Sequence, residues 1–106
     1  MMITATVLKD RNGICRGFSV KGHALFDEKG KDIVCSAVSI LTINTVNSIE
    51  QFTDVPFTCK TDDGIDVTFE KDPDEKAGLL IDSYLLGLKG IGEEYSQYFR
   101  LLTKEV

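Results

Sequence analysis

Alternation of apolar and polar residues with a period of two marks the first part of the chain as β structure. Residues 3–8 alternate β-branched and small side chains, and residues 14–21 have a similar pattern. Asn12-Gly13 lies between them and is a strong hairpin signal. Residues 57–62 and 65–70 flank Asp63-Gly64 in the same way. The sequence therefore predicts two β-hairpins.

A helical period follows the first hairpin. From Asp32, positions spaced three or four residues apart form one helical face: Val34, Val38, Leu41, Thr45, Ile49 and Phe52. Asp32 is the predicted N-cap, because its carboxylate can accept from the free amides of the first turn. The helix should end near Thr53-Asp54, before Pro56.

A second helix is predicted after the second hairpin, with Asp72 as its cap and Pro73 at its first position. The residues expected on its buried face are spaced four, four, three and four positions apart: Leu80, Tyr84, Leu88, Ile91 and Tyr95. The glycines of its second half, such as Gly87, weaken the helix but permit close packing against a neighbour. Residues 98–103 are interpreted as a last short strand.

The predicted order is ββαββαβ within a single domain of residues 1–106. The simplest layered arrangement is an α+β fold, a mostly antiparallel sheet with two helices packed on one face. This arrangement leaves the opposite face of the sheet apolar and uncovered, so that face needs cover. This expectation predicts a two-fold homodimer.

Composition narrows the classes of protein and site. Of the 106 residues, 42% are hydrophobic and 27% are charged, with no tryptophan, which is ordinary for a globular domain. The formal net charge of −5 argues against nucleic-acid binding and permits attraction to a basic partner. The N-terminus lacks a signal-peptide pattern, and the uninterrupted apolar runs are too short for a bilayer, so we expect a cytoplasmic protein without membrane contact.

The cysteines and the histidine do not predict a cofactor or metal site. Cys15, Cys35 and Cys59 form no C-x-x-C pair, and His23 is the one histidine. A zinc site made of Cys and His would need all four side chains to converge, so no metal is expected. Scattered, unpaired cysteines fit a reducing compartment. Cys15 and Cys59 lie in predicted strands and are interpreted as structural.

His23 and Cys35 form the candidate chemical pair. A thiol attacks a carbonyl more readily when a helix N-terminus helps to remove its proton and an imidazole accepts it. With Asp32 as N-cap, Cys35 would be the third helical residue, within the positive end of the helix dipole. Taken alone, however, a cysteine in this position is more often a small buried apolar residue, and a single histidine is an ordinary loop residue.

Four further residues are candidates for supporting this pair. Gly22 would let the backbone turn and approach closely before His23, although it could simply end the strand. Ser39 lies one helical turn after Cys35, where its hydroxyl could bind the thiolate or its own backbone. Asp32 could cap the helix, orient His23, or do both. Residues 24–31 read as a polar loop, with Gly30 as its expected hinge.

The stretch from Gly22-His23-Ala24 to Asp32-Ile33-Val34-Cys35, continuing through Ser39, resembles the signature of the ribosomal-processing cysteine protease family Prp. The resemblance implies that Cys35 is the nucleophile and His23 its base, with Asp32 and Ser39 in supporting positions. It also implies removal of a short N-terminal extension, after a pair of phenylalanines, from a bacterial large-subunit ribosomal protein. The precursor of that protein is thus the expected partner, and the homodimer agrees with the family.

Two other functions remain open on the residues alone. One is a non-catalytic dimeric ribosome-assembly factor in which Cys35 is a packed thiol. The other is a thiol redox sensor. This alternative is weakened because no resolving cysteine lies nearby in the sequence.

Overall fold

The computed structural model describes the backbone of residues 2–22 and 29–106 and the side chains of residues 2–22 and 33–106. The elements follow in the predicted order ββαββαβ. The strands are β1 (Ile3–Lys9), β2 (Cys15–Lys21), β3 (Phe57–Lys60), β4 (Ile65–Phe69) and β5 (Phe99–Glu105). The helices are α1 (Lys29–Phe52) and α2 (Glu75–Glu94).

The five strands form one sheet in the order β3-β4-β2-β1-β5. Three neighbouring pairs are antiparallel and β1 pairs with β5 in parallel, so the sheet is mostly antiparallel, as predicted. Both predicted hairpins are present, and their glycines Gly13 and Gly64 have φ of 80° and 82°. A Cβ at Gly64 would lie 2.2 Å from the carbonyl oxygen of Val20, so this turn packs directly on β2.

Both helices cover one face of the sheet, which confirms the predicted α+β arrangement. Alternate residues of β1, such as Ile3 and Val7, are fully buried under the helices. The largest buried side chains from the other elements join them in one core: Phe18, Val20, Val34, Val38, Ile49, Val67, Tyr84, Leu88 and Phe99. Residues 33–52 of α1 have a mean hydropathy of 1.4, enough by composition to cross a membrane. Core helices share this property, and α1 contributes Val34, Val38 and Ile49 to the core.

The opposite face of the sheet is mainly polar. Positions that alternate with the core residues along β1, β2 and β4 carry Thr4, Thr6, Ser19, Asp66 and Thr68. The expectation of an uncovered apolar face on the sheet is therefore wrong. The homodimer stays a prediction, but it needs another surface.

Both helix starts differ from the predicted ones. Helix α1 begins three residues before Asp32, and α2 begins after Asp74. The side chain of Asp74 accepts from the amide of Ala77 at 2.8 Å and is the N-cap. Asp72, the predicted cap, instead binds the guanidinium group of Arg16. Two carboxylates flank Pro73, and the pairing of Asp72 with Arg16 of β2 leaves Asp74 to cap the helix.

The two helices approach each other closely at Gly87. A Cβ at this position would lie 2.7 Å from a terminal methyl carbon of Leu41 in α1. This confirms the prediction that a glycine in the second half of α2 permits close packing. Residues Ile43 and Val46 of α1 lie beside the β3–β4 hairpin, while α2 contacts β5, with Gly92 next to Phe99.

Candidate functional site

A groove of about 460 Å³ lies between α1 and the β3–β4 hairpin. Its helix wall is made of Ser39, Ile43, Val46 and Asn47. Its hairpin wall is made of Cys59, Thr61, Gly64 and Ile65. The walls combine aliphatic side chains with hydroxyl and amide groups, which is typical of sites that bind a peptide or a small organic molecule. We refer to this feature as the α1–hairpin groove.

Cys35 lies one helical turn from this groove. It is the seventh residue of α1, is half-buried, and packs against the core. Ser39 follows four residues later and lines the groove. Residues four apart are neighbours on a helix surface. The predicted residues Cys35 and Ser39 are therefore neighbours on α1, and Ser39 is the one that lines the α1–hairpin groove.

The early start of α1 corrects the predicted surroundings of Cys35. Asp32 is the fourth residue of the helix rather than its N-cap, and Gly30 is its second residue rather than part of a loop. The lysines on either side of Gly30 are good helix formers, and a carboxylate in the first turn is favoured by the helix dipole. The residues from Lys29 to Asp32 thus form the first turn of α1 rather than a loop followed by a cap.

This correction has a chemical consequence. A helix leaves its first four amides without an internal partner, and the amide of Cys35 lies beyond them. The dipole effect also falls off within the first turn. The free amides at the start of α1 therefore lie at least a turn away from the backbone of Cys35.

Gly22 has the role expected of it at the end of β2. Its φ is +86°, and a Cβ at this position would lie 2.5 Å from the carbonyl oxygen of Met2. Only glycine combines this backbone angle with such a close approach. The predicted base, His23, and the predicted loop residues up to 28 lie outside the described residues, as does the side chain of Asp32.

The end of β2 and the groove belong to the same end of the sheet. Gly64 lines the groove and also packs against the backbone of Val20 and Lys21, the last residues of β2. Gly22 follows directly. Gly22 therefore lies beside the hairpin wall of the groove, and the next described element along the chain is the helix that carries Cys35.

The other two thiols differ from each other. Cys15 is buried and donates to the carbonyl oxygen of Gly17 at 3.4 Å, and burial raises the pKa of its thiol. Its interpretation as structural is confirmed. Cys59 is exposed on the edge strand β3 and lines the groove, so it is not a core residue, and its interpretation as structural stays a prediction. Partial burial and then the charge of Asp66 raise the pKa of the Cys59 thiol.

Sequence reasoning missed most of the groove. Asn47, Cys59 and Thr61 carry no local signal, because the groove arises only when α1 packs over the hairpin. Among the described side chains, those of residues 2–22 and 33–106, no three of His, Cys, Asp or Glu lie in a metal-binding arrangement.

Comparison with known proteins identifies related chains. Residues 2–100 match the family model described as "Cysteine protease Prp". The ribosomal processing cysteine protease Prp of Bacillus subtilis is 31% identical over 109 aligned residues, covering 96% of this chain and 97% of the relative. The protein of the same name from Staphylococcus aureus is 29% identical, covering 97% and 100%.

Solved structures agree with this match. A crystal structure of an essential ribosomal processing protease Prp from S. aureus in complex with a substrate peptide has a TM-score of 0.90 at 28% identity. A second structure of that protease, with a covalently linked product peptide, has a TM-score of 0.87 at the same identity. Both comparisons cover 97% of this chain and 100% of the other.

Proposed function

The chain belongs to the Prp family of cysteine proteases, and we propose that it removes the N-terminal extension of a bacterial large-subunit ribosomal protein, with Cys35 as nucleophile and His23 as base. The enzyme class follows from the family and its relatives. We propose in addition the identity of the substrate, the roles of the two catalytic residues and a cytoplasmic location.

The observation that carries the proposal is the position of Cys35 one helical turn from Ser39, which lines the α1–hairpin groove. Among the three thiols, Cys15 is buried in the core and donates to the carbonyl oxygen of Gly17, and Cys59 lies on the edge strand β3. Cys35 is the remaining thiol, and the groove offers a place for the peptide beside it.

The proposed reaction is acyl transfer through a thioester. Sγ of Cys35 attacks the scissile carbonyl carbon after giving its proton to the imidazole of His23. The protonated imidazole then donates that proton to the leaving amine, so the peptide bond breaks and the thioester forms. The shortened protein leaves as this amine, and the extension stays on Cys35 as the acyl group. Water, deprotonated by the same imidazole, attacks the thioester and releases the extension as a carboxylic acid, and the imidazolium returns the proton to the thiolate.

The shape and composition of the groove suit an extended peptide. Ile43, Val46 and Ile65 provide apolar surface for a large side chain, while Asn47 and Thr61 provide polar groups for the peptide backbone. The net charge of −5 favours the approach of a basic protein, and ribosomal proteins are basic because they bind RNA.

We further propose that the chain forms a two-fold homodimer through the outer faces of its helices. Ile40 of α1 and Leu86 of α2 are 69% and 74% exposed, and Ile33 and Leu79 lie one heptad before them on the same faces. A surface with four large exposed aliphatic side chains is a candidate for self-association. Among the described residues on the polar face of the sheet, the large aliphatic side chains are Leu8 and Leu102 alone.

Incubation with the host's own precursor ribosomal protein tests the proposed function. Mass spectrometry should show one cut that removes the N-terminal extension and leaves the mature protein intact. A precursor that remains full-length with active protease would exclude this substrate. Mature protein lacking the extension is the matched control and should not be cut.

A further inference from the structure

The edge strand β3 presents unpaired backbone groups beside the α1–hairpin groove. Strand β3 is at one edge of the sheet and pairs on its other side with β4. No described residue pairs with its outer edge. An open edge of this kind is a template for one more strand.

The register shows which backbone groups point outward. The amide of Glu70 donates to the carbonyl oxygen of Pro56 at 2.9 Å, which fixes this as a hydrogen-bonded pair. Hydrogen-bonded and non-hydrogen-bonded pairs alternate in an antiparallel ladder. Thr58 and Lys60 therefore direct their N–H and C=O groups toward β4. Phe57 and Cys59 direct theirs toward the open edge.

The same two residues face the helix layer with their side chains. Phe57 and Cys59 lie opposite Phe69 and Val67, which are both buried in the core. Cys59 lines the groove, and the ring of Phe57 packs edge-on against Phe69, with ring centroids 6.3 Å apart. The outward backbone groups of β3 and the groove are thus parts of one continuous surface.

This surface leads toward Cys35. Helix α1 ends near the start of β3, because only residues 53–56 connect them. The start of α1, with Cys35 and Ser39, therefore lies toward the other end of β3, where Thr61 and Gly64 complete the groove. A chain that follows the edge of β3 would run along the groove to the thiol.

On this geometry we infer that the substrate peptide binds as a sixth strand, paired with Phe57 and Cys59 at the open edge of β3. The inference rests on the proposed function and specifies how that site holds its substrate. Main-chain hydrogen bonds supply affinity, and alternate side chains supply specificity. Every second side chain of the peptide would enter the groove toward Ile43 and Val46, and the others would face the polar side of the sheet.

Amide hydrogen exchange measured by NMR tests the inference directly. The Cys35→Ala variant is studied with and without a peptide that spans the extension and cleavage site of the precursor. With the peptide bound, the amides of Phe57 and Cys59 should exchange at least about tenfold more slowly, because each gains a hydrogen-bond partner. Those of Thr58 and Lys60 already bond to β4 and are the internal control. Unchanged exchange at Phe57 and Cys59, with or without detectable binding elsewhere, would overturn the inference.

A second copy of the chain is the alternative occupant of this edge. In that case the amides of Phe57 and Cys59 would already be protected without peptide, and protection would increase with protein concentration. That result would also overturn the inference. The proposed function fails separately, if the wild-type protein leaves the precursor uncut.

A pair of variants isolates the backbone contribution. Cys59→Pro removes an N–H that points outward, which an edge strand tolerates, whereas Cys59→Ala removes the same sulfur and retains the N–H. Relative to Cys59→Ala, Cys59→Pro should raise KM for the peptide by about three- to tenfold, the effect of one hydrogen bond, with kcat little changed. Equal KM values in two folded variants would contradict pairing at Cys59.

Discussion

The hydroxyl group of Thr42 in α1 lies 2.8 Å from the hydroxyl group of Tyr84 in α2, and both residues are buried. The ring of Tyr84 also packs on Phe18 of β2, with ring centroids 4.8 Å apart. This contact joins the two helices to each other and to the sheet. The helix that carries Cys35 is therefore held in place by a polar contact inside an apolar core.

Loss of either hydroxyl should destabilise the fold. Tyr84→Phe and Thr42→Val each leave one buried hydroxyl without its partner, which costs about 1–3 kcal/mol of the free energy of unfolding. The double variant should lose less than the sum of the two, because neither hydroxyl then remains unsatisfied. Urea denaturation of the wild type, the two single variants and the double variant gives the coupling free energy between the two hydroxyl groups. Strict additivity would show that the hydrogen bond contributes nothing.

The same pair predicts a response to alkaline pH. Burial raises the pKa of Tyr84 to about 12, while its hydrogen bond to Thr42 has a smaller lowering effect. An unfolded tyrosine has a pKa near 10. The folded state thus holds the proton more tightly, and this stabilisation is complete below pH 10 and is lost as the pH rises toward 12.

Comparison of the wild type with Tyr84→Phe isolates this effect from the other groups that titrate at high pH. Between pH 10 and about 12, the wild type should lose up to about 1.4 kcal/mol of stability per pH unit more than the variant. If the free energy of unfolding has the same pH dependence in the two proteins, the pKa of Tyr84 is the same in the folded and the unfolded state.

Removal of the proposed base should slow the reaction without unfolding the protein. His23→Ala is expected to reduce kcat/KM by at least about a hundredfold, the lower range for general acid–base catalysis. Alkylation of Cys35 at neutral pH, followed by peptide mapping, should be slower in the variant than in the wild type, because the thiol loses its proton acceptor. Equal rates of alkylation in both proteins would contradict the pairing of His23 with Cys35.

The proposed dimer predicts a different outcome for substitutions on its two faces. Light scattering of the wild type at micromolar concentration should give twice the monomer mass. Leu86→Lys on the outer face of α2 should give monomers, because it places a charge in the apolar contact. Thr68→Lys on the polar face of the sheet is the matched control and should remain dimeric. A monomeric wild type, or dissociation by Thr68→Lys alone, would contradict the proposed surface.

The sequence predicts the order of elements because each has a local signal. The glycines at residues 13 and 64 mark the hairpins, and apolar spacing identifies the buried sides of both helices through Val34, Val38 and Leu88. Helix starts are harder to predict, since several residues can serve as the N-cap. Asp72 and Asp74 are equivalent as caps until the fold brings Arg16 to the first of them.

Contacts between elements could not be predicted in this way. The spacing that marks one face of α1 includes Thr45 but omits Thr42, whose burial depends on the position of Tyr84 in another helix. Cys59 reads as an ordinary strand residue, and its exposure follows from the place of β3 at the edge of the sheet. The neighbouring positions of Cys35 and Ser39 are predictable because both lie on one helix, a single turn apart, whereas their assignment to a site rests on the resemblance to the Prp signature.

Cleavage of the precursor by cysteine variants tests the central claim most directly. Mass spectrometry of the precursor after incubation should show removal of the extension by the wild type and by Cys15→Ala, whose thiol is buried in the core. Cys35→Ala should show no cleavage while retaining the circular dichroism spectrum of the wild type, because the covalent step requires its sulfur. Cleavage by Cys35→Ala at a rate near that of the wild type would contradict the account.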